Sequence, residues 1–262
     1  MYKTINSVVK ALKILEAFTP ARPTLSLQEI IEVVGLPKPT MYRFLHTLTS
    51  FNYLSLDQEN GKYFLSPKVM SLGYATLASM EIRDAAQPYL AELARIAEEN
   101  VSLGILDGIE VLYVARFMKR RILNVDLNVG SRVNVYKSAI GRAILAFLSE
   151  DKLAHVLGEL SENEVDLENI GTEQQGINNI LEEVRKKKYA LNDGEFIEGV
   201  RSVGAPVFDS KGDVEGAVNI AVFSNLVSLE ELLDRHVPLL LDTAKKISEA
   251  RGLVEAEKIS MP

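Results

Sequence analysis

The sequence contains no cysteine and no tryptophan in 262 residues, and only three histidines. Without cysteine the chain can form no disulfide, no thiolate metal site and no cysteine nucleophile, and a reducing compartment suits it. His46, His155 and His236 lie far apart with no ligand-like spacing, so no metal centre is expected. There is no run of about 18 apolar residues of the kind that crosses a membrane. The N-terminal stretch MYKTINSVVKALKIL has lysines spread through it and no small-residue cleavage site, which predicts a cytoplasmic protein, not a secreted one. G-x-S-x-G, P-loop and G-x-G-x-x-G motifs are also missing, so neither an activated nucleophile nor a bound cofactor is expected. The paired carboxylates Asp107/Glu110 and Glu230/Glu231 fall at turns or on exposed helix faces, where solvation accounts for them.

The formal net charge of −7 argues against a nucleic-acid partner when taken over the whole chain. Its distribution argues the other way. Residues 1–66 hold seven Lys/Arg against five Asp/Glu, and the remainder holds 22 against 31. A mildly basic head on an acidic body fits a small DNA-binding module joined to a larger domain with another task.

Within the head, TLSLQEIIEVVGLPKPTMYRFLHTLTS (24–50) predicts two short helices around a tight turn. Ser26 and Glu29 have capping-box spacing, which satisfies free N–H groups at a helix start. Leu27, Ile30, Ile31 and Val34 then recur on one helical face. Gly35 supplies the left-handed position that ends the first helix. Pro37 and Pro39 are tolerated only in the first turn of the next. That second helix buries Met41, Phe44, Leu45 and Leu48 and turns Thr40, Tyr42, Arg43, His46 and Thr47 outward. The pattern is a helix-turn-helix whose second helix has a hydrogen-bonding, basic outer face. A first helix over 5–18, with Ile5, Val8, Leu12 and Leu15 inward, completes a three-helix core. Two short strands follow, joined through Asn60-Gly61, a strong hairpin dipeptide. The hairpin makes a wing, and its one basic residue, Lys62, is either a phosphate contact or an ordinary solvated lysine. Pro67 closes the head at 1–66. Residues 67–82 predict a linker helix with more apolar surface than a solitary helix should expose, so a second copy or the next domain is expected against it.

From Val101 the hydrophobic period shifts from helical to two. Strands are expected at 101–106, 110–117 and 122–127, and a hairpin at 203–223. Helices are expected at 83–99, 138–147, after Ser149, after a capping box at Thr172/Gln175, and from a third box at Ser228/Glu231 to about Arg251. The stretch 158–171 predicts an acidic loop. Hairpins dominate over strict β–α alternation, so the fold class is α+β, with a mainly antiparallel sheet covered by helices over 83–262.

Several of these stretches resemble one family. GLPKPTMYRFLHTL (35–48) is similar to the recognition-helix segment of the IclR family of bacterial transcriptional regulators, and SVVKALKILEAF (7–18) to its first helix. GRAILAFL (141–148) and GVRSVGAPVFDSKGDVEGAVNIAVF (199–223) match its C-terminal domain. The motifs come in the family's order over residues 4–252. Within the family, 106–146 most resembles the branch controlling catabolism of aromatic acids, the protocatechuate and 4-hydroxybenzoate regulators. GSRVNVYKSAIGR keeps that branch's Gly130, Arg132, Tyr136, Ser138 and Gly141. It departs at Asn134-Val135, where Pro-Ala is usual, and at Lys137, where a small residue is usual. The resemblance implies a winged helix-turn-helix head, a dimerising linker helix, a GAF-like effector domain, and a homodimer or dimer of dimers. It also implies a small organic acid as effector, aromatic acids included.

For operator DNA the candidate contacts are Lys38, Thr40, Tyr42, Arg43, His46 and Lys62. Arg43 can fork onto guanine, while Thr40 and Tyr42 suit phosphates. For an organic-acid effector, the helix starting near Ser138 offers free N–H groups and a positive dipole end. Ser138, Ala139, Ile140 and Gly141 would let a ligand approach that backbone. The resemblance adds Asn192, Ser202, Asn219 and Ala221 as pocket positions. Arg116, Arg132 and Tyr136 are further candidates, with a structural ion pair the competing role for either arginine. Two rival roles for the C-terminal domain are a hydrolase of small acids and a ligand-free assembly module.

Overall fold

The computed structural model describes residues 4–119, 127–170 and 176–254. The chain divides into two compact units between Ser79 and Met80.

The first unit holds α1 (Asn6–Glu16), β1 (Thr24–Ser26), α2 (Leu27–Val34), α3 (Lys38–Ser50), β2 (Leu54–Leu56), β3 (Lys62–Leu65) and α4 (Lys68–Ala78). The expected capping box forms in full. The Glu29 N–H donates to Ser26 Oγ at 3.3 Å, and the Ser26 N–H donates to Glu29 Oε2 at 2.7 Å. These bonds hold the Glu29 carboxyl below its ordinary pKa. Gly35 ends α2 at φ 72°, and its N–H closes onto Ile31 O at 2.8 Å. Ile14, Leu25, Ile30, Met41, Leu45 and Leu54 are fully buried and lock the three helices to the hairpin. Ser26→Ala should therefore cost about 1 kcal/mol of stability, measurable as a lower urea midpoint for the head.

β1 is a feature that the sequence reading leaves out. It pairs antiparallel with β3, Leu25 opposite Tyr63, and makes the wing a three-stranded sheet of order β1-β3-β2. α4 forms as expected but buries none of its residues within the described chain.

The second unit starts with α5 (Glu81–Ala97), β4 (Asn100–Asp107), β5 (Glu110–Phe117), β6 (Arg132–Asn134), α6 (Ala139–Leu145), α7 (Glu150–Glu162) and α8 (Ile177–Lys187). It continues through β7 (Ala190–Asp193), β8 (Val200–Phe208), β9 (Val214–Phe223), α9 (Leu229–Glu231), a π-helical turn (Leu232–His236) and α10 (Val237–Ala250). Six strands form one antiparallel sheet in the order β6-β5-β4-β9-β8-β7. A side chain built on Gly104 would meet Ile140 of α6, and one on Gly216 would meet Ile82 of α5, so the two helices cover opposite faces. α10 lies on the α5 side, where Ser248 Oγ accepts the Phe208 N–H at 3.0 Å.

Three expectations are corrected. Ile5, Val8 and Leu12, expected inward on the first helix, are exposed, and Ile14 is the residue that α1 buries in the core. α7 continues to Glu162, five residues into the stretch expected as loop, because Leu160 near its end is buried in the core. α6 stops at Leu145, short of Phe147. The strand expected at 122–127, but for Leu127, and the capping box at Thr172/Gln175 lie outside the described residues.

Candidate functional site

In the head, α3 stands with one face in the core and the other free. Met41, Leu45 and Leu48 point inward, and Lys38, Tyr42, Arg43 and His46 are exposed. Thr40 is half-buried. No residue of α3 is acidic, so nothing on this face repels a phosphate. The Thr47 hydroxyl donates to Arg43 O at 2.9 Å, which occupies its proton within the helix. Lys62 lies on β3 beside the turn, with its backbone held by Asn60 Oδ1 at 2.9 Å. Five of the six expected DNA contacts thus lie on α3, and the sixth lies on the wing. This is the layout in which a recognition helix enters the major groove beside a hairpin.

In the second unit the strand register gathers five of the eleven expected effector residues. One row across the sheet runs Arg116–Ser102–Asn219–Gly204, and the next runs Asn100–Ala221–Ser202–Asn192. Partners in register share a face, as do residues two apart on one strand. That face is the one under α6, because a side chain on Gly204 would come within 2.6 Å of Ala139 O.

The rows form a buried polar patch. Arg116 Nη1 donates to Ser102 Oγ at 2.9 Å, and its guanidinium stands 5.5 Å from the centre of the Tyr113 ring. Tyr113 is bonded to Asn219, and burial pushes its hydroxyl up to about 12, so it stays protonated. Asn219 is itself buried, and its Oδ1 has no hydrogen-bond partner. An unsatisfied buried carbonyl of this kind costs free energy unless something donates to it. Ala221 and Ser202 are half-buried neighbours on the same face.

The remaining candidates have structural occupations. Asn192 Nδ2 donates to Lys137 O at 2.6 Å, clipping β7 to the entry of α6. Ser138 caps α6, with Oγ accepting from the Gly141 N–H at 3.2 Å and donating to Asn134 O at 2.6 Å. Gly141 is small because a side chain there would lie 2.1 Å from Val135 O. Ala139 and Ile140 are buried against Gly204 and Gly104. Arg132 makes exposed ion pairs with Asp107 and Glu110. Tyr136 packs on the core beside α6, and its carbonyl accepts from Arg142 Nε at 2.8 Å. Arg142, which the sequence reading passed over, forms a buried fork with Glu195. No grouping of His, Asp and Glu that could hold a metal occurs among the described residues.

The model of the IclR helix-turn-helix domain matches residues 7–58, and that of the bacterial transcriptional regulator IclR C-terminal domain matches residues 74–249. The chain belongs to the IclR family. Family members are DNA-binding transcriptional regulators, so the exposed face of α3 belongs to a DNA-binding domain. Among curated IclR-family members, the chain is 31% identical to the regulator KdgR of Escherichia coli K12, covering 95% of this chain and 94% of that one. It is 29% identical to the Pca regulon regulatory protein of Pseudomonas putida, over 93% and 83% of the two chains. A solved IclR-family regulator from Brucella abortus superposes with a TM-score of 0.76 at 31% identity, covering 95% and 93%. The α+β fold with its antiparallel sheet is the IclR fold. Similarity by itself does not select the aromatic-acid branch, since KdgR and the Pca regulator stand at nearly equal identity.

Proposed function

We propose that a small organic acid binds under α6 in the second unit and thereby sets how the protein, as a homodimer or dimer of dimers, holds its operator. The observation that carries this reading is the free Oδ1 of Asn219, buried beside Arg116, Ser102 and Tyr113 in the polar patch under α6. A cation and unspent hydrogen-bonding capacity inside a domain core are what a polar ligand with an acidic group needs. Asn219 and Arg116 are the lead contacts, with Ser202 and Ala221 beside them. Asn192, Ser138, Ala139, Ile140 and Gly141 shape the site through the backbone of α6. Tyr136 flanks α6, whereas Arg132, in register with Leu112, lies on the sheet face away from α6 and is spent on Asp107 and Glu110. Aromatic acids are the first class to try, because the sequence between 106 and 146 resembles their regulators. On the DNA side, Arg43 reads base edges, and Lys38, Thr40, Tyr42, His46 and Lys62 position the head.

A thermal-shift screen of aromatic and aliphatic acids tests the reading. A specific binder present at about 100 times its Kd should stabilise the protein by about 2.7 kcal/mol and raise Tm accordingly. Asn219→Leu should abolish that shift while leaving the ligand-free protein folded. A screen in which no acid moves Tm, or in which the variant responds like the wild type, would count against the site.

A further inference from the structure

Between α3 and the wing runs an open groove of about 550 Å³. Tyr42, His46 and Thr49 line it from the helix, and Ser55, Gln58 and Tyr63 from the hairpin side. None of its lining residues is acidic, and none is a lysine or arginine. This neutrality stands out in a chain with 36 Asp and Glu residues. Of the two acids that flank Gln58 in the chain, Asp57 is folded into its own turn. Its Oδ1 accepts from the Glu59 N–H at 2.9 Å, and its Oδ2 accepts from Asn60 Nδ2 at 2.5 Å.

The position of the groove follows from how the head docks. A recognition helix occupies the major groove of B-DNA, about 12 Å wide, and the neighbouring minor groove is about 6 Å wide. One sugar–phosphate strand separates the two. With α3 on one side of that strand and the hairpin on the other, the strand passes over the gap between them. Phosphate oxygens there need donors. Gln58 Nε2 and the hydroxyls of Ser55, Tyr42 and Tyr63 supply them. Thr49 does not, because its hydroxyl already donates to Leu45 O and His46 O, both at 2.9 Å.

We propose that this groove seats the phosphate strand between the major and minor grooves, and that Gln58, Ser55 and Tyr63 hold it as neutral donors. Neutral donors position the duplex without reading its sequence. They also release no counterions, unlike Arg43 or Lys62. Binding through the groove therefore adds affinity without adding salt dependence.

The test uses the full-length protein and a random-sequence duplex, with Kd measured by fluorescence anisotropy from roughly 50 to 200 mM salt. Gln58→Ala and Tyr63→Phe should each weaken binding about fivefold, the worth of one hydrogen bond, with the slope of log K against log salt unchanged. Gln58→Lys should tighten binding and steepen the slope by about one, as one added phosphate contact does. Asn178→Lys, the same charge change on the exposed face of α8, should do neither. Gln58 is exposed, so its variants keep the head folded, and a melt confirms this for Tyr63→Phe. The proposal is overturned if Gln58→Ala and Tyr63→Phe bind as the wild type does. It is also overturned if the two lysine variants shift affinity and slope alike, or if the slope falls in Gln58→Ala.

Discussion

Glu195→Ala should destabilise the second unit by about 3–5 kcal/mol, the cost of leaving a buried charge without its partner. The Arg142 side chain is 2% exposed and that of Glu195 16%. Their fork closes with Nη1 to Oε1 at 2.9 Å and Nη2 to Oε2 at 2.6 Å. Among the described residues, removing the carboxylate leaves the guanidinium with the Tyr136 and Leu191 carbonyls, at 2.8 and 3.4 Å. Two carbonyl dipoles do not neutralise a full charge in the interior. Urea unfolding of the full chain measures the loss as a fall in the midpoint of the second unit's transition. Arg142→Met combined with Glu195→Leu should lose much less than Glu195→Ala, because a pair replaced by apolar groups strands nothing. Equal losses in the single and double variants would mean that packing volume, not charge, matters at this position. The pair also ties α6 to the segment that leads into β8, so the acid response under α6 should weaken in Glu195→Ala even where the protein is still folded.

The pattern of what could be foreseen follows the range of the interactions. The capping box at Ser26/Glu29 and the left-handed Gly35 are local devices, so their spacing alone announces the helix-turn-helix. β1 has no such signature. Three residues carry no period, and they are a strand only because Leu25 meets Tyr63, far along the chain. The same holds in the second unit. Asn219, Ser202 and Asn192 were expected around one site, and the strand register sets them in two adjacent rows. Gly141 was expected to make room for a ligand, whereas its missing side chain makes room for Val135. Arg142 passes unnoticed within GRAILAFL because its partner comes 53 residues later. Tyr113 and Ser102 were equally hidden, although the alternation of Asn100 and Ser102 in an apolar strand is a signal that two polar side chains face one way.

Charge introduced on α1 and α4 should cut operator affinity by about 10²- to 10⁴-fold, the gain that joining two binding events gives. The head has few cations, so one head alone should bind DNA weakly, and the proposed dimer would bring two to neighbouring half-sites. α1 and α4 carry exposed apolar residues that a second copy would cover. Met70 and Tyr74 on α4 are 76% and 73% exposed, and Ile5 on α1 is 68% exposed. A cleft of about 440 Å³ lies between the two helices, lined by Val8, Leu12, Leu15, Phe44, Leu48 and Leu72. Surface of this kind is a liability in a monomer and an asset in an interface. Leu72→Glu with Leu12→Glu places two charges at a cleft that Phe44 and Leu48 of α3 line from within, and leaves the outward residues Tyr42, Arg43 and His46 unchanged. Sedimentation should show the dimer population falling, and binding to a fragment selected by the wild-type protein should weaken by the factor above. Binding of a single half-site should not change. A double variant that dimerises and binds its fragment normally would show that the two heads are brought together elsewhere, and α4 would lose its place as the element through which an effector could set their spacing.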